Sequence, residues 1–286
     1  MPKKKMSGSK RTVLITGCSD GGLGAALAVA FHDTGLQVYA TARNASKMSH
    51  LSSLGIKTLT LDVLSESSIA ACAAQVPSLD ILVNNAGSSY SMPISDMSIA
   101  EAKKQFDINV WSHLAVTQAF LPHLLKSRGM IVNQTSVVST TAVPFQSAYN
   151  ASKAAMAMFS DSQRLEFEPF GITVVDLKTG AVSSNLIKNQ KEWTPISLPE
   201  GSIYEPAREA VEAAMRNDKL GNAGMPASQW AEEVVGDLLK KKPPMTIWRG
   251  TRAGLGRIGT MFPHGMLDGQ MKKMTGLDIV EKMVKN

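Results

Sequence analysis

Residues Thr12–Phe31 read Thr-Val-Leu-Ile-Thr-Gly-Cys-Ser-Asp-Gly-Gly-Leu-Gly-Ala-Ala-Leu-Ala-Val-Ala-Phe. The first five form a short β-branched apolar run, the pattern of a buried strand. Gly17 to Gly24 make a glycine-rich turn, and the alanine-rich run from Ala25 to Phe31 favours a helix. A glycine turn between a leading strand and a helix suits phosphate. Bare backbone can approach the anion closely, and the helix N-terminus offers free N–H groups and a positive dipole. The spacing is not GxGxxG, so that motif is not invoked.

Outward from this unit the alternation repeats. Expected strands are Gln37–Thr41, Lys57–Leu61, Leu79–Asn84, Gly129–Asn133, Gly171–Leu177 and Met245–Trp248. Between them lie helical stretches, among them Ala45–Leu54, Ser65–Ala74, Ile99–Ser127, Ala148–Glu168 and Ala227–Lys240. Strands alternating with helices at this spacing imply right-handed βαβ units and a parallel sheet. From Thr179 to Met225 the periodicity fails, apart from a short expected helix at 205–216. A long irregular stretch of this kind usually serves a site. The organisation expected is a disordered basic tail over 1–10, one α/β domain over 11–250 with a substrate lid near 183–225, and a C-terminal extension over 251–286.

The net charge of +6 is located at the ends. Lys3, Lys4, Lys5, Lys10 and Arg11 supply +5, and residues 240–273 carry +7, so the body from 12 to 239 is acidic at −6. No nucleic-acid motif accompanies the charge. The basic C-terminal segment suits peripheral contact with an anionic membrane surface. No run of eighteen apolar residues suggests a transmembrane span, and no secretory signal is read at the N-terminus. Cys18 and Cys72 are two thiols in a large domain, expected free in a reducing compartment.

Three further features carry chemistry. Tyr149 and Lys153 are one turn apart on an expected helix, thirteen residues after the hydroxyl of Ser136. A phenol titrates near pH ~10, and a neighbouring ammonium favours phenolate, so the pair could exchange protons near neutrality. The same spacing also arises by chance on amphipathic helices. At the end of the second strand, Tyr39-Ala-Thr-Ala-Arg43 has no acid to bond two ribose hydroxyls but has an Arg suited to a 2′-phosphate. That favours NADPH over NADH, the alternative being a solvated Arg at a helix start. Asn84-Asn85-Ala86-Gly87 gives small residues where open α/β sheets bind ligands. Asn109 interrupts an otherwise helical apolar stretch.

In this order, Thr16-Gly17…Gly22-Leu23-Gly24, Asn84–Gly87, Asn109, Ser136 and Tyr149-x-x-x-Lys153 resemble the classical short-chain dehydrogenase/reductases over roughly 11–250. The resemblance implies a Rossmann-like three-layer α/β/α sandwich with a seven-stranded parallel sheet. It implies an NAD(P)-dependent oxidoreductase of the cytoplasm that uses no metal and assembles as a homodimer or homotetramer. Tyr149 looks like the general acid, Lys153 the residue that lowers its pKa and holds the nicotinamide ribose, and Ser136 the substrate hydrogen-bond donor. Asn109 would anchor a relay water. Gly17, Ser19, Asp20, Gly22, Leu23 and Gly24 would face the pyrophosphate. Arg43 would meet the 2′-phosphate and Asp62 and Val63 the adenine. Asn85, Ala86 and Gly87 would lie behind the ribose, and Gly180, Val182 and Ser184 over the nicotinamide. Two departures stand out: the glycine loop is one residue longer than usual, and Thr179 replaces a proline. The long loop, Tyr204–Ala210, Met225-Pro226 and Ile247-Trp-Arg-Gly250 resemble fungal reductases grouped with NADPH-dependent 1-acyldihydroxyacetone-phosphate reductase. The substrate expected is a ketone that is apolar or lipid-like; the alternatives are a tailoring reductase of a fungal small-molecule pathway, and a catalytically silent NADP-binding regulator.

Overall fold

A computed structural model describes residues 10–185, 196–217, 224–263 and 265–284. Most of the tail and two stretches of the expected lid, 186–195 and 218–223, therefore lie outside the described residues. Strand β1 (Thr12–Thr16) is buried at every position, as befits a parallel strand covered on both faces. Along the chain come β2 (Gln37–Ala42), β3 (Lys57–Thr60), β4 (Ile81–Asn84), β5 (Met130–Ser136) and β6 (Thr173–Thr179). The short β7 (Val182–Ser183) and β8 (Met225–Pro226) precede β9 (Thr246–Arg249). Among the described residues, seven strands form one parallel sheet in the order β3-β2-β1-β4-β5-β6-β9. The order reverses between β1 and β4, so the carboxyl edge there is open to a ligand. Strands β7 and β8 form a separate parallel pair.

Helices cover both faces. Helix α1 (Leu23–Asp33) lays Leu27, Ala28 and Phe31 against Val13, Ile15 and Val38. The short α2 (Ser49–Ser53) adds Leu51 to the same core. The helix Ala227–Leu238 joins this layer through Trp230, Val234 and Val235. On the other face lies α3 (Glu66–Gln75). Helix α4 (Ile99–Phe106) runs into α5 (Ser112–Ser127) through a π-helical turn, Asp107–Trp111. The extra residue in that turn rotates α5 relative to α4. Together α3 and α5 bury Ile69, Cys72, Val116, Phe120 and Leu124 against Leu14, Leu82 and Ile131. Helix α6 (Ser147–Phe167) is the longest, and it lies over β5 and β6.

A third, smaller core sits above the carboxyl edge. Leu198, Ala207, Val211 and Met215 of the expected lid pack with Tyr90, Met92, Phe145 and Ala148. The region 251–284 is more ordered than a bare extension. It contains helices Ala253–Gly259, Asp268–Thr275 and Leu277–Val284, and Val280 and Leu277 pack into the third core. Both cysteines are free and buried. Burial raises the Cys18 thiol to about 12 and the Cys72 thiol to about 11, so neither is a nucleophile near neutrality. Among the described residues no helix is long and apolar enough to cross a membrane.

Candidate active site

The glycine turn is held against the end of β4 by a small set of bonds. Asn85 Nδ2 donates to Thr16 O at 2.7 Å and to Gly17 O at 3.2 Å. Thr16 Oγ1 accepts from the amides of Asn85 and Ala86, both at 2.9 Å. Gly17 has φ +75°, in the left-handed region. A Cβ on Gly24 would lie 2.5 Å from Gly17 O and 2.6 Å from Asn85 Nδ2. The turn therefore requires bare backbone at its closest approach. Gly22 caps α1 without a side-chain hydrogen bond, and no acid occupies the first turn. That leaves the leading amides for an anion, so the cradle fits a phosphate group.

Other expected cofactor residues follow the carboxyl ends of β2, β3 and β6. Asp20 differs from expectation: its amide donates to Lys47 O at 2.8 Å, so it is committed to holding the longer loop in place. Arg43 stands exposed just beyond β2. Asp62 Oδ1 accepts from Leu64 N at 3.0 Å, shaping the turn that carries Val63. Gly180 N donates to Arg249 O at 2.8 Å, and Val182 pairs with Met225. Beyond Ser184, Asn185 reaches back to the glycine turn, its Nδ2 donating to Asp20 O at 2.9 Å and its amide to Gly21 O at 3.1 Å. Thr179 leaves β6 intact where a proline was expected, because it stays in register with Ser136 and accepts from Gln134 Nε2 at 2.8 Å.

A side-chain cluster lies across the edge of β5. The Ser136 hydroxyl lowers the proton affinity of the Tyr149 phenol and donates to Thr179 O at 3.2 Å. Lys153, buried, has its Nζ 5.8 Å from the Tyr149 ring centre and 2.8 Å from Gln134 O, to which it donates. Asn109 is fully buried at the π-helical turn, not at the surface usual for a mid-helix Asn. Its Nδ2 donates to Ser88 O and Ser152 Oγ, both at 3.0 Å, and its Oδ1 accepts from Ser88 N at 2.9 Å. Gly87 bridges cradle and cluster, since a Cβ there would come within 3.1 Å of Asn109 Oδ1 and 3.7 Å of Lys153 Nζ.

The electrostatics correct one expectation. Burial pushes the Tyr149 phenol up to about 12, and the Ser136 hydrogen bond opposes that. Burial also lowers Lys153 to about 8, opposed by the Asp176 carboxylate. With Lys153 turned to Gln134 O, desolvation sets the direction of the Tyr149 shift. His113, unnoticed in the sequence although it lies one turn beyond Asn109 on the same face, is fully enclosed. Burial and Lys153 hold it near 3, so it is neutral. Its Nε2 bonds Ala86 O at 2.8 Å, fixing the ledge from the α5 side.

A switch-point cradle for phosphate beside a Ser–Tyr–Lys cluster defines a nucleotide-dependent oxidoreductase of the Rossmann type. Comparison with known proteins gives the family. A model described as "short chain dehydrogenase" matches residues 11–195. The chain is 67% identical over 280 residues to the short-chain dehydrogenase/reductase GME11361 of Pestalotiopsis microspora, covering 98% of this chain and 99% of that one. It is 36% identical over 271 residues to the NADPH-dependent 1-acyldihydroxyacetone phosphate reductase of Schizosaccharomyces pombe, covering 89% and 90%. A crystal structure of a short-chain dehydrogenase from Streptomyces avermitilis superposes with a TM-score of 0.75 at 27% identity, covering 97% and 99%. The chain belongs to the short-chain dehydrogenase family and is an oxidoreductase.

Proposed function

We propose that this chain is an NADPH-dependent carbonyl reductase acting on a ketone of an apolar or lipid-like substrate, in a single catalytic domain over 11–250. The observation that carries the reading is the junction at Gly87, where the phosphate cradle and the Ser136–Tyr149–Lys153 cluster meet. When bound, the reduced nicotinamide supplies a hydride equivalent to the carbonyl carbon. Ser136 donates a hydrogen bond to the carbonyl oxygen and stabilises negative charge as it develops there. Tyr149 delivers the proton to that oxygen. A phenol held near 12 is fully protonated at neutral pH, which suits an acid. Lys153 would hold the ribose hydroxyls of a bound cofactor, where its charge would assist Tyr149. Asn109 and His113 hold the Ala86–Ser88 ledge in place and so keep water and substrate aligned above Lys153.

Arg43 answers a 2′-phosphate through its planar fork, and a 36% identical relative is named for NADPH dependence. Apolarity of the substrate is supported by the mouth of the site. The segment after β9 exposes Leu255, Ile258, Met261 and Phe262, and its Gly256 backs onto Val137, next to Ser136. With Arg252 and Arg257 beside them, the same residues suit peripheral contact with an anionic lipid surface. The test is oxidation of NADPH and of NADH by the wild-type protein and by Arg43→Ala, against acyl-dihydroxyacetone phosphate and a panel of polycyclic aromatic ketones. The reading predicts reduction of at least one ketone, faster with NADPH. It also predicts a preference narrowed about tenfold or more in the variant, as expected for loss of a charge-assisted bond. An unchanged preference would remove Arg43 from the cofactor site.

A further inference from the structure

We propose that Asp176 and Lys178 are positioning residues for the Ser136 hydroxyl, acting through Thr135 and Ser139 on either side of it. The inference rests on the reading of Ser136 as a substrate hydrogen-bond donor. Asp176 and Lys178 are two residues apart on β6, so both project from the same face of the sheet, the one that α6 covers. In the register of the sheet Lys178 lies beside Thr135 and Asp176 beside Asn133. Thr135 Oγ1 donates to Asp176 Oδ1. Lys178 Nζ stands 2.6 Å from Asp176 Oδ2, donates to Ser139 Oγ at 2.9 Å, and lies 5.7 Å from the centre of the Trp248 ring. The carboxylate thus holds the residue before Ser136, and the ammonium holds the third residue after it.

The held segment needs such anchors. Val137–Ser139 is a single 3-10 turn in which no residue is buried, and Ser136 caps it by accepting from Val138 N at 3.3 Å. A turn with no buried side chain gains little from packing and drifts unless polar bonds fix it. Asp176 and Lys178 are only 8% and 9% exposed. A pair of charges so enclosed returns little net stability, since desolvation offsets their attraction. Earlier on the same face both strands carry apolar residues, Ile131 and Val174. Stability alone would be served by continuing that pattern. The ion pair appears where the strands reach Ser136, and its bonds lead to the two flanks of that residue.

The decisive variant is the charge-neutral double substitution Asp176→Asn with Lys178→Met, which removes both charges of the pair. Because Asp176 also raises Lys153, turnover in every background is read at acidic pH, where Lys153 stays charged. Two readouts separate positioning from general support. In the full chain carrying tyrosine labelled with carbon-13 at Cζ, Tyr149 is assigned by its absence in Tyr149→Phe. Ser136→Ala should shift that resonance, the double variant should shift it in the same direction, and the combination should shift it no further. In turnover of phenanthrenequinone, or whichever panel ketone is reduced, the double variant should lower kcat about 10- to 100-fold with the Kd for NADPH unchanged. In the Ser136→Ala background the same change should cost less than about twofold. Additive shifts or equal costs in both backgrounds would overturn the proposal, as would parallel losses of NADPH affinity and turnover. If the double variant does not fold, Ser139→Ala removes one anchor alone and must show the same non-additivity with Ser136→Ala. A wild-type protein that reduces no ketone would defeat the functional reading, and the tyrosine resonance would still decide this one.

Discussion

At the carboxyl edge of β1 and β4 the site is made of main chain, whereas at the edge of β5 and β6 it is made of side chains. In the first half Gly17 and Gly24 bring backbone against backbone, and a single Cβ at Gly24 would meet Gly17 O at 2.5 Å. In the second half Ser136 and Lys153 are held by bonds to Thr179 O and Gln134 O, with the Tyr149 ring centre 5.8 Å from Lys153 Nζ. The contrast teaches that the halves should fail differently. A main-chain cradle works by what is missing, so any added atom damages both shape and binding. A side-chain cluster works by protons and charges, so an isosteric change can silence it and leave the fold and the cradle intact.

The largest effect expected on the cradle side comes from Gly24→Ala. Overpacking of this kind costs about 1–3 kcal/mol of stability, and NADPH binding, measured by fluorescence titration, should weaken at least about tenfold. Wild-type affinity in this variant would break the comparison, because the cradle would then not depend on bare backbone.

A smaller effect, confined to the cluster, arises from charge. Lys153 sits near 8 because burial lowers it while Asp176 raises it. Asp176→Asn removes the raising influence, so Lys153 should lose its proton at lower pH than in the wild type. The limb of the kcat/KM profile that reports Lys153 should therefore move toward acid, with less ammonium present at any pH around 8. The profile of Gly24→Ala should keep that limb where it is. A limb that stays fixed or moves toward alkali in Asp176→Asn would contradict the electrostatics of the cluster.

The two halves also differed in how far the sequence revealed them. The cradle announces itself through glycines between an apolar run and an alanine-rich helix, and the sheet through the alternation that continues to Trp248. Tyr149 and Lys153 were visible as one helical turn, yet the direction of the Tyr149 shift was not. That direction depends on where Lys153 Nζ points and how dry the cluster is, and spacing encodes neither. Asn109 stands out in the family pattern, but its burial was not legible, because a π-helical turn has no composition of its own. Asp176 and Lys178 are charged interruptions of an apolar strand, and only their bonds to Thr135 and Ser139 give them a purpose. The amide of Asp20 was expected to face phosphate, and only the partner loop at Lys47 reveals its commitment. The last helix, Leu277–Val284, was missed because Leu277 and Val280 pack into a small core contributed by distant segments.

The most direct test of the central claim is Tyr149→Phe, with NADPH affinity and ketone turnover measured on the same preparation. The substitution removes one hydroxyl, leaves Gly17, Gly24 and the Asn85 bonds untouched, and takes away the proposed proton donor. The account predicts NADPH binding within about twofold of wild type and turnover lower by at least about 10²-fold, the usual minimum for loss of a general acid. Turnover that survives in this variant would contradict it.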